Sequence, residues 1–290
     1  MTELLQFLAT GLAVGSVYAL VGLGLVLIFQ VTGAINFAQG DFVMVGALTF
    51  ALLSERDWSL LTAGPTAVAA ATVVGLLVER LAIAPARESS PERLIILTIG
   101  ASFAIRGIAL VLVGTNPHFA PPFSDHGAVR VGGVVLLPQY FWVVAATTAA
   151  VLAMAWFLLR TLPGKAMRAC EMNREASRLM GISPARMSLL AFVIAAALGG
   201  VAGVILAPLQ SADYGIGLAL SLKGFTAAVL GGLANPAGAV AGGLLIGVIE
   251  SLSVGYLPSG YKDAVTFGIL LVVLLARPAG LLRRVDVARV

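Results

Sequence analysis

Residues 4–29 contain no charged side chain, and the run exceeds the ~20 residues an α-helix needs to cross the hydrocarbon core of a bilayer. Within lipid, backbone polar groups must pair with one another, which leaves helices or a closed barrel. Strand-type alternation is absent. The runs are continuous and rich in Leu, Ala, Val and Gly, so helices are expected. Further apolar runs lie near 42–53, 62–83, 94–113, 137–159, 188–208, 217–233, 238–256 and 263–276, the one at 42–53 and the one at 217–233 being short and interrupted. Charged residues make up 11% of the chain, against ~25% in soluble domains. Mean hydropathy is +1.01. Such a chain cannot coat a globule with polar side chains, and disordered chains are apolar-poor. The sequence predicts an all-α polytopic membrane helix bundle of about eight or nine transmembrane helices, a single domain over 1–290.

Charge sets the orientation. Arg80, Arg87 and Arg93 fall in segment 79–93; Arg160, Lys165, Arg168, Arg174, Arg178 and Arg186 in 160–187; Arg277, Arg283, Arg284 and Arg289 in the tail. These three places hold 13 of the 18 basic residues. The positive-inside rule makes all three cytoplasmic. Loops 54–61, 114–136, 209–216 and 257–262 then fall outside, with nine spans and an external N-terminus. If residues 30–53 re-enter instead, the count is eight and the N-terminus is internal. The net charge of +4 does not point to nucleic acid, because the basic residues sit between apolar runs. Residues 1–30 lack Lys and Arg, so the first run reads as a permanent span rather than a signal peptide. The single Cys170 forbids an intramolecular disulfide.

Local signals mark ends and crossings. Ser90-Pro91 and Ser183-Pro184 place a capping residue before a proline at a helix start. Gly11/Gly15, Gly199/Gly203, Gly238/Gly242 and Gly243/Gly247 are small residues four apart, which permit close helix approach.

Segment 160–187 is too polar for the membrane and too long for a turn. Met172, Ala176, Leu179 and Met180 recur at helical spacing, with Asn173 as a start signal and Gly181 as a stop. Two readings are open: a helix lying on lipid headgroups with its arginines on anionic lipid, or a docking surface for a partner. Glu175-Ala176-Ser177 followed by three residues and Gly181 resembles the EAA…G loop of ABC-importer permeases, although Ser177 replaces the usual Ala.

A wider resemblance runs through the chain. Gly33-Ala34-Ile35-Asn36-Phe37-Ala38-Gln39-Gly40-Asp41, Ala166-Met167-Arg168-Ala169-Cys170, the stretch from Lys223 to Gly232, Tyr261-Lys262-Asp263 and Arg277-Pro278-Ala279-Gly280-Leu281 are similar, in order, to segments of LivH-type permeases of the branched-chain amino acid ABC transporter family. The resemblance implies a multi-pass subunit of a bacterial inner-membrane importer. Its partners would be a homologous LivM-type permease, two ABC ATPase subunits and a periplasmic substrate-binding protein. It also implies that Arg168, Met172, Glu175, Ala176, Arg178, Leu179, Met180 and Gly181 couple to the ATPases. The chain has no GxxxxGK[ST] phosphate loop, so ATP and Mg belong to the partner subunits and this chain binds no cofactor. Cargo is less constrained: urea, amides or aromatic acids fit the same class. An ion-coupled secondary transporter or a channel would explain the spans but not the loop.

Polar residues inside apolar runs are costly and mark interiors or pathways. Asn36, Gln39 and Asp41 form one group: Asp41 caps the following helix while the amides serve the loop, or all three line a pathway. Lys223, Thr226 and Asn235 form another, because interrupted helices point to translocation sites; Lys223 is expected to snorkel to the outer interface. Arg106 and Glu250 are the deepest charges, expected in a buried structural pairing, with each other or with other polar groups, or else in a gate or substrate-facing role. His118, His126 and Asp125 do not match zinc-ligand spacing, so no metal site is expected. The arginines flanking Cys170 could lower its pKa, but a plain small loop residue is the favoured reading. No nucleophile–base constellation is present, so enzyme chemistry is not expected.

Overall fold

The computed structural model describes residues 2–124, 127–131, 134–277 and 280. Its helices are α1 (Thr2–Thr32), α2 (Gln39–Ser54), α3 (Leu60–Val78), α4 (Pro91–Val113), α5 (Pro138–Arg160), α6 (Leu162–Met172), α7 (Arg174–Leu179), α8 (Pro184–Leu206), α9 (Ile216–Gly231), α10 (Pro236–Tyr256) and α11 (Lys262–Ala276). A π-helical turn (Glu79–Ile83) and a short 3-10 turn (Ala84–Ala86) prolong α3. A small antiparallel hairpin, β1 (Val129–Val131) with β2 (Val134–Leu136), interrupts the loop before α5. Each of the nine apolar runs is a helix. Six are long and apolar enough to cross a membrane unaided; α2 and α9 have 16 residues each and α11 has 15.

Contacts between loops sort the two ends of the bundle. The side chain of Gln6 donates to Val135 O and accepts from Val135 N. The backbone of His118 pairs with Ala212, and its ring lies 2.9 Å from Glu55 Oε1. The start of α1, the end of α2 and the loops before α5 and α9 therefore share one end. Gln30 donates to Ala234 O and to Glu171, so the end of α1, the α9–α10 turn and basic α6 share the other. The chain crosses between Gln30 and Glu55, which excludes the re-entrant alternative. N-terminal residues lie at the end opposite the basic loops.

Every glycine pair read from the sequence forms a crossing. Gly11 and Gly15 face Gly247, Val248 and Leu244, bringing α1 and α10 together. Gly199 and Gly203 receive Phe42, Val43 and Ala47 of α2, while Gly238 and Gly242 abut Gly231 and Ala227 of α9. A Cβ on Gly247 would lie 2.2 Å from the Gly15 Cα, backbone against backbone. Gly247→Ala should therefore cost about 1–3 kcal/mol by overpacking. Gly268→Ala, with nothing within 4 Å, should cost nothing measurable. Thermal unfolding of the two variants in detergent checks the contrast.

Helix starts follow local chemistry. Prolines open α4, α5, α8 and α10 at their first position. Ser183 Oγ accepts from Arg186 N, as a capping residue should, whereas Ser90 makes no such bond. α1 and α8 are buried over most of their length; α4 is mostly exposed. An apolar groove of about 560 Å³ separates α4 from α2 and α3.

Candidate translocation and coupling sites

Gly33, at φ +73°, ends α1, and residues 33–38 turn back into the bundle. The Gln39 amide donates to Ala195 O at 2.9 Å and lies against Gly24. Gly24 is eight residues from the end of α1 and Ala195 eleven from the start of α8, so α2 begins about 12–17 Å inside the basic end. There it meets the first turns of α9. Gly40 N donates to Ser221 Oγ at 2.8 Å, and Ser221 Oγ donates to Phe37 O at 2.7 Å. Only glycine permits this approach: a Cβ on Gly40 would lie 2.1 Å from Gly217 O, and one on Gly217 2.2 Å from Asp41 Oδ1. The two short helices thus join N-terminal turn to N-terminal turn.

Asp41 sits in this junction, fully buried. It does not cap α2, as the sequence reading allowed: Ala38 holds the N-cap position and no side chain caps the helix. Oδ1 faces Arg106 Nε at 3.4 Å. Arg106 Nη2 donates to Ser102 Oγ at 2.9 Å, and its guanidinium lies 4.8 Å from the Phe103 ring centre. Asn36 Oδ1 accepts from Ala38 N, serving a loop amide as expected. Gln39 departs from that expectation and ties α2 to α8 instead.

A second buried cluster lies between α1, α9, α10 and α11. Lys223 Nζ meets Glu250 Oε1 at 2.7 Å, Asp263 Oδ1 at 3.0 Å and the Tyr18 hydroxyl at 3.2 Å. Tyr18 donates to Glu250 Oε2 at 2.9 Å. Lys223 is 5% exposed, so the snorkelling expectation is wrong: α9 starts below the surface and carries its eighth residue into the core. Arg106 and Glu250 are not partners, because their helices present them to different neighbours. Thr226 is buried and donates back to Leu222 O. Asn235 caps the start of α10 by position and lines a cavity of about 220 Å³ with Arg168 and Gln30.

Segment 160–187 holds two helices before α8, not one. Asn173 has extended backbone and breaks the chain between α6 and α7. Its side chain accepts from Glu175 N and Ala176 N at 3.0 and 2.9 Å, the expected cap. Gly181, at φ +81°, follows α7, the expected stop. Met172 ends α6, so the predicted apolar stripe is assembled from both helices. Met172, Leu179 and Met180 are 88%, 89% and 82% exposed. Glu175, Ala176 and Arg178 are exposed beside them.

Burial pushes the Cys170 thiol above its ordinary value, although Ser177 and Arg174 pull the other way. The favoured reading of an unactivated thiol fits, because Cys170 is buried within the protein rather than open to the flanking arginines and solvent. Maleimide labelling of Cys170 in native membranes should be slower than that of free cysteine at neutral pH, and should keep rising with pH after the free thiol has levelled off.

Sequence reasoning missed Tyr18, Ser102 and Asp263, which lie far along the chain from the charges they serve or carry no charge of their own. It also missed Glu79, fully buried in the π-helical turn and paired with Arg87. Functional sites often carry π-turns, and the glutamate just inside an apolar run was the available signal. His118 is engaged by Glu55. Asp125, His126, Pro278, Ala279, Leu281, Arg283, Arg284 and Arg289 lie outside the described residues.

A family model for the permease component of branched-chain amino acid transport systems matches residues 7–274. The high-affinity branched-chain amino acid transport system permease protein LivH of Escherichia coli K12 is 34% identical over 302 aligned positions, covering 99% of this chain and 97% of LivH. LivM of the same strain is 28% identical, covering 92% of this chain and 68% of LivM. Among solved structures, PsaBC from Streptococcus pneumoniae in complex with Fab superposes with a TM-score of 0.57 at 12% identity, covering 96% of this chain and 93% of that one, a likeness of fold. Coverage nearly end to end at this identity places the molecule: the chain belongs to the branched-chain amino acid transport system permease family.

Proposed function

We propose that this chain is the transmembrane permease subunit of an ATP-driven importer for branched-chain or other hydrophobic amino acids in a bacterial inner membrane. The carrying observation is the exposed set Met172, Leu179 and Met180 on two capped helices at the basic end. Three large apolar side chains held in the open by Asn173 and Gly181 suit a protein partner, and the family supplies ATPases as that partner. Arg168, Glu175, Ala176, Arg178 and Gly181 complete the coupling surface. ATP and Mg are handled by those subunits.

The pathway follows from burial. Asn36, Gln39, Asp41, Thr226, Lys223 and Glu250 are at most 6% exposed and sealed within the bundle. In the present arrangement an aqueous route for a zwitterion therefore runs along an outer face of this chain, against a second, LivM-type permease, and reaches a sealed group only if a covering helix shifts. A periplasmic binding protein delivers substrate from the end bearing the hairpin.

The test is purification of the tagged chain from native membranes in mild detergent. Co-purifying ATPases and a second permease, lost on mutating 172–181, support the proposal. A lone chain or homo-oligomer, under conditions that preserve known complexes, shifts the reading to a secondary transporter or channel. Uptake that tracks an ion gradient rather than ATP would do the same.

A further inference from the structure

We propose that Arg106 and Asp41 are the groups that handle the charged end of the substrate during passage, the guanidinium taking its α-carboxylate and the Asp41 carboxylate its α-ammonium. The inference deepens the importer reading and rests on it. Its starting point is a pair of incompletely used charges. Neither Asp41 oxygen has a hydrogen bond of normal geometry, though the residue is fully buried and the Ser102 hydroxyl lies beside it. Its one cationic neighbour among the described residues is Arg106 Nε, at 3.4 Å. Arg106 spends Nη2 and Nε on Ser102, and among the described residues Nη1 has no partner. Buried polar groups are normally satisfied, and an exception calls for a reason. Two adjacent groups of opposite sign, each with spare capacity, are complementary to one ligand class: a zwitterion.

Position supports the same conclusion. The pair lies where α2 begins inside the bundle, and the first turns of α2 and α9 meet beside it. Helix starts within a transporter bundle favour anionic substrate groups. The Arg106 side chain remains 15% exposed on the face of α4. A charge facing lipid in mid-helix is costly, about 2.5–3.5 kcal/mol on insertion scales, so that face borders protein or water. Around the pair the face is apolar: Phe103 under the guanidinium, and Phe37 against Phe225 at 5.7 Å between ring centres. One ion pair in an apolar surround matches an amino acid with a hydrocarbon side chain.

Asp41 is covered in the present arrangement, so engagement requires α4 to shift. That helix is suited to moving. Its polar ties to the body among the described residues run through Thr98 and Arg106, about two turns apart, and an apolar groove lies beside it.

The test uses the whole complex, with partner permease, ATPases and loaded binding protein, in proteoliposomes. The readout is labelled leucine moved per ATP hydrolysed. Arg106→Gln with Asp41→Asn removes both charges and leaves no unpaired ion in the membrane. This variant should assemble and hydrolyse ATP in response to loaded binding protein, yet move at least about tenfold less leucine per ATP, the worth of one hydrogen bond to a charged group. Arg106→Lys keeps the charge without the fork and should fall by less. A wild-type ratio in the neutral variant overturns the proposal. So does a neutral variant that fails to assemble while Arg106→Lys keeps the wild-type ratio, because the pair is then structural. A reduced ratio in Arg106→Lys supports the proposal even if the neutral variant does not assemble. Failure of the wild-type complex to move leucine on ATP overturns the importer reading itself.

Discussion

Lys223→Met should destabilise the folded chain by about 3–5 kcal/mol while leaving its insertion into the membrane intact. The loss follows from what remains. Glu250 is buried, and Lys223 Nζ at 2.7 Å is its close cation; Lys262 stands off at 3.9 Å and is half exposed. Removing one partner of a buried pair strands the other charge, and this accounts for the magnitude. The Tyr18 hydroxyl alone cannot offset a buried carboxylate. Insertion responds in the opposite direction, since α9 without its lysine enters lipid more easily. The diagnostic is therefore a split: undiminished inserted protein, with a lower thermal midpoint in detergent. Lys223→Met combined with Glu250→Gln should recover most of the loss, and the double-mutant cycle measures the pair. Lys262→Met should cost little, because exposed pairs are worth about 0–1 kcal/mol. A snorkelling Lys223 would instead give a near-neutral single mutant.

Much of the fold was legible because it is local. Nine apolar runs became nine helices, and basic α6 lies at one end of the bundle with the end of α1 and the α9–α10 turn. Gly15 and Gly247 announced a close crossing because small residues four apart leave room for little else. Asn173 and Gly181 marked the ends of α7 through short-range chemistry, a side chain bonding amides two and three residues on and a backbone needing positive φ. The break before α7 was harder to see, since Met172, Ala176, Leu179 and Met180 keep a helical spacing that the extended Asn173 interrupts.

The candidate site was legible in its residues but not in their pairings. Glu250 is buried, as its mid-run position suggested, but Arg106 keeps 15% of its side chain exposed, and Asp41, Glu79 and Lys223 are buried more fully than either. Which charges they meet depends on which helices are neighbours, and nothing in the spacing of a chain of similar apolar runs encodes that. Asp41 is 65 residues from Arg106, and Tyr18 is 232 from Glu250. Lys223 misled for a related reason. The run at 217–233 reads as starting at the membrane surface, but α9 meets α2 inside the bundle, which moves its whole charge register inward.

Glu175→Lys together with Gly181→Asp should abolish ATP-driven uptake while the protein inserts and folds. The internal costs of the two changes are small beside the external one. Glu175 is exposed in the first turn of α7, where a carboxylate favours the helix start by about 0.3–1 kcal/mol. A Cβ added at Gly181 would meet nothing within 4 Å, so aspartate there faces only backbone strain of about 1–2 kcal/mol at φ +81°. Neither change touches the bundle core, and α7 itself has one buried residue, Ser177. Together they reverse a charge and reshape the turn beside three exposed apolar side chains. If those side chains dock into a partner, burying Leu179 and Met180 is worth about 1.5–3 kcal/mol each. Losing that docking weakens association by at least about a hundredfold. A surface helix resting on lipid would not respond this way, since an added lysine strengthens its hold on anionic headgroups. Uptake, co-purification of ATPase subunits and thermal stability, measured on the same double variant, separate the cases. Uptake at the wild-type rate would remove the coupling role from residues 172–181.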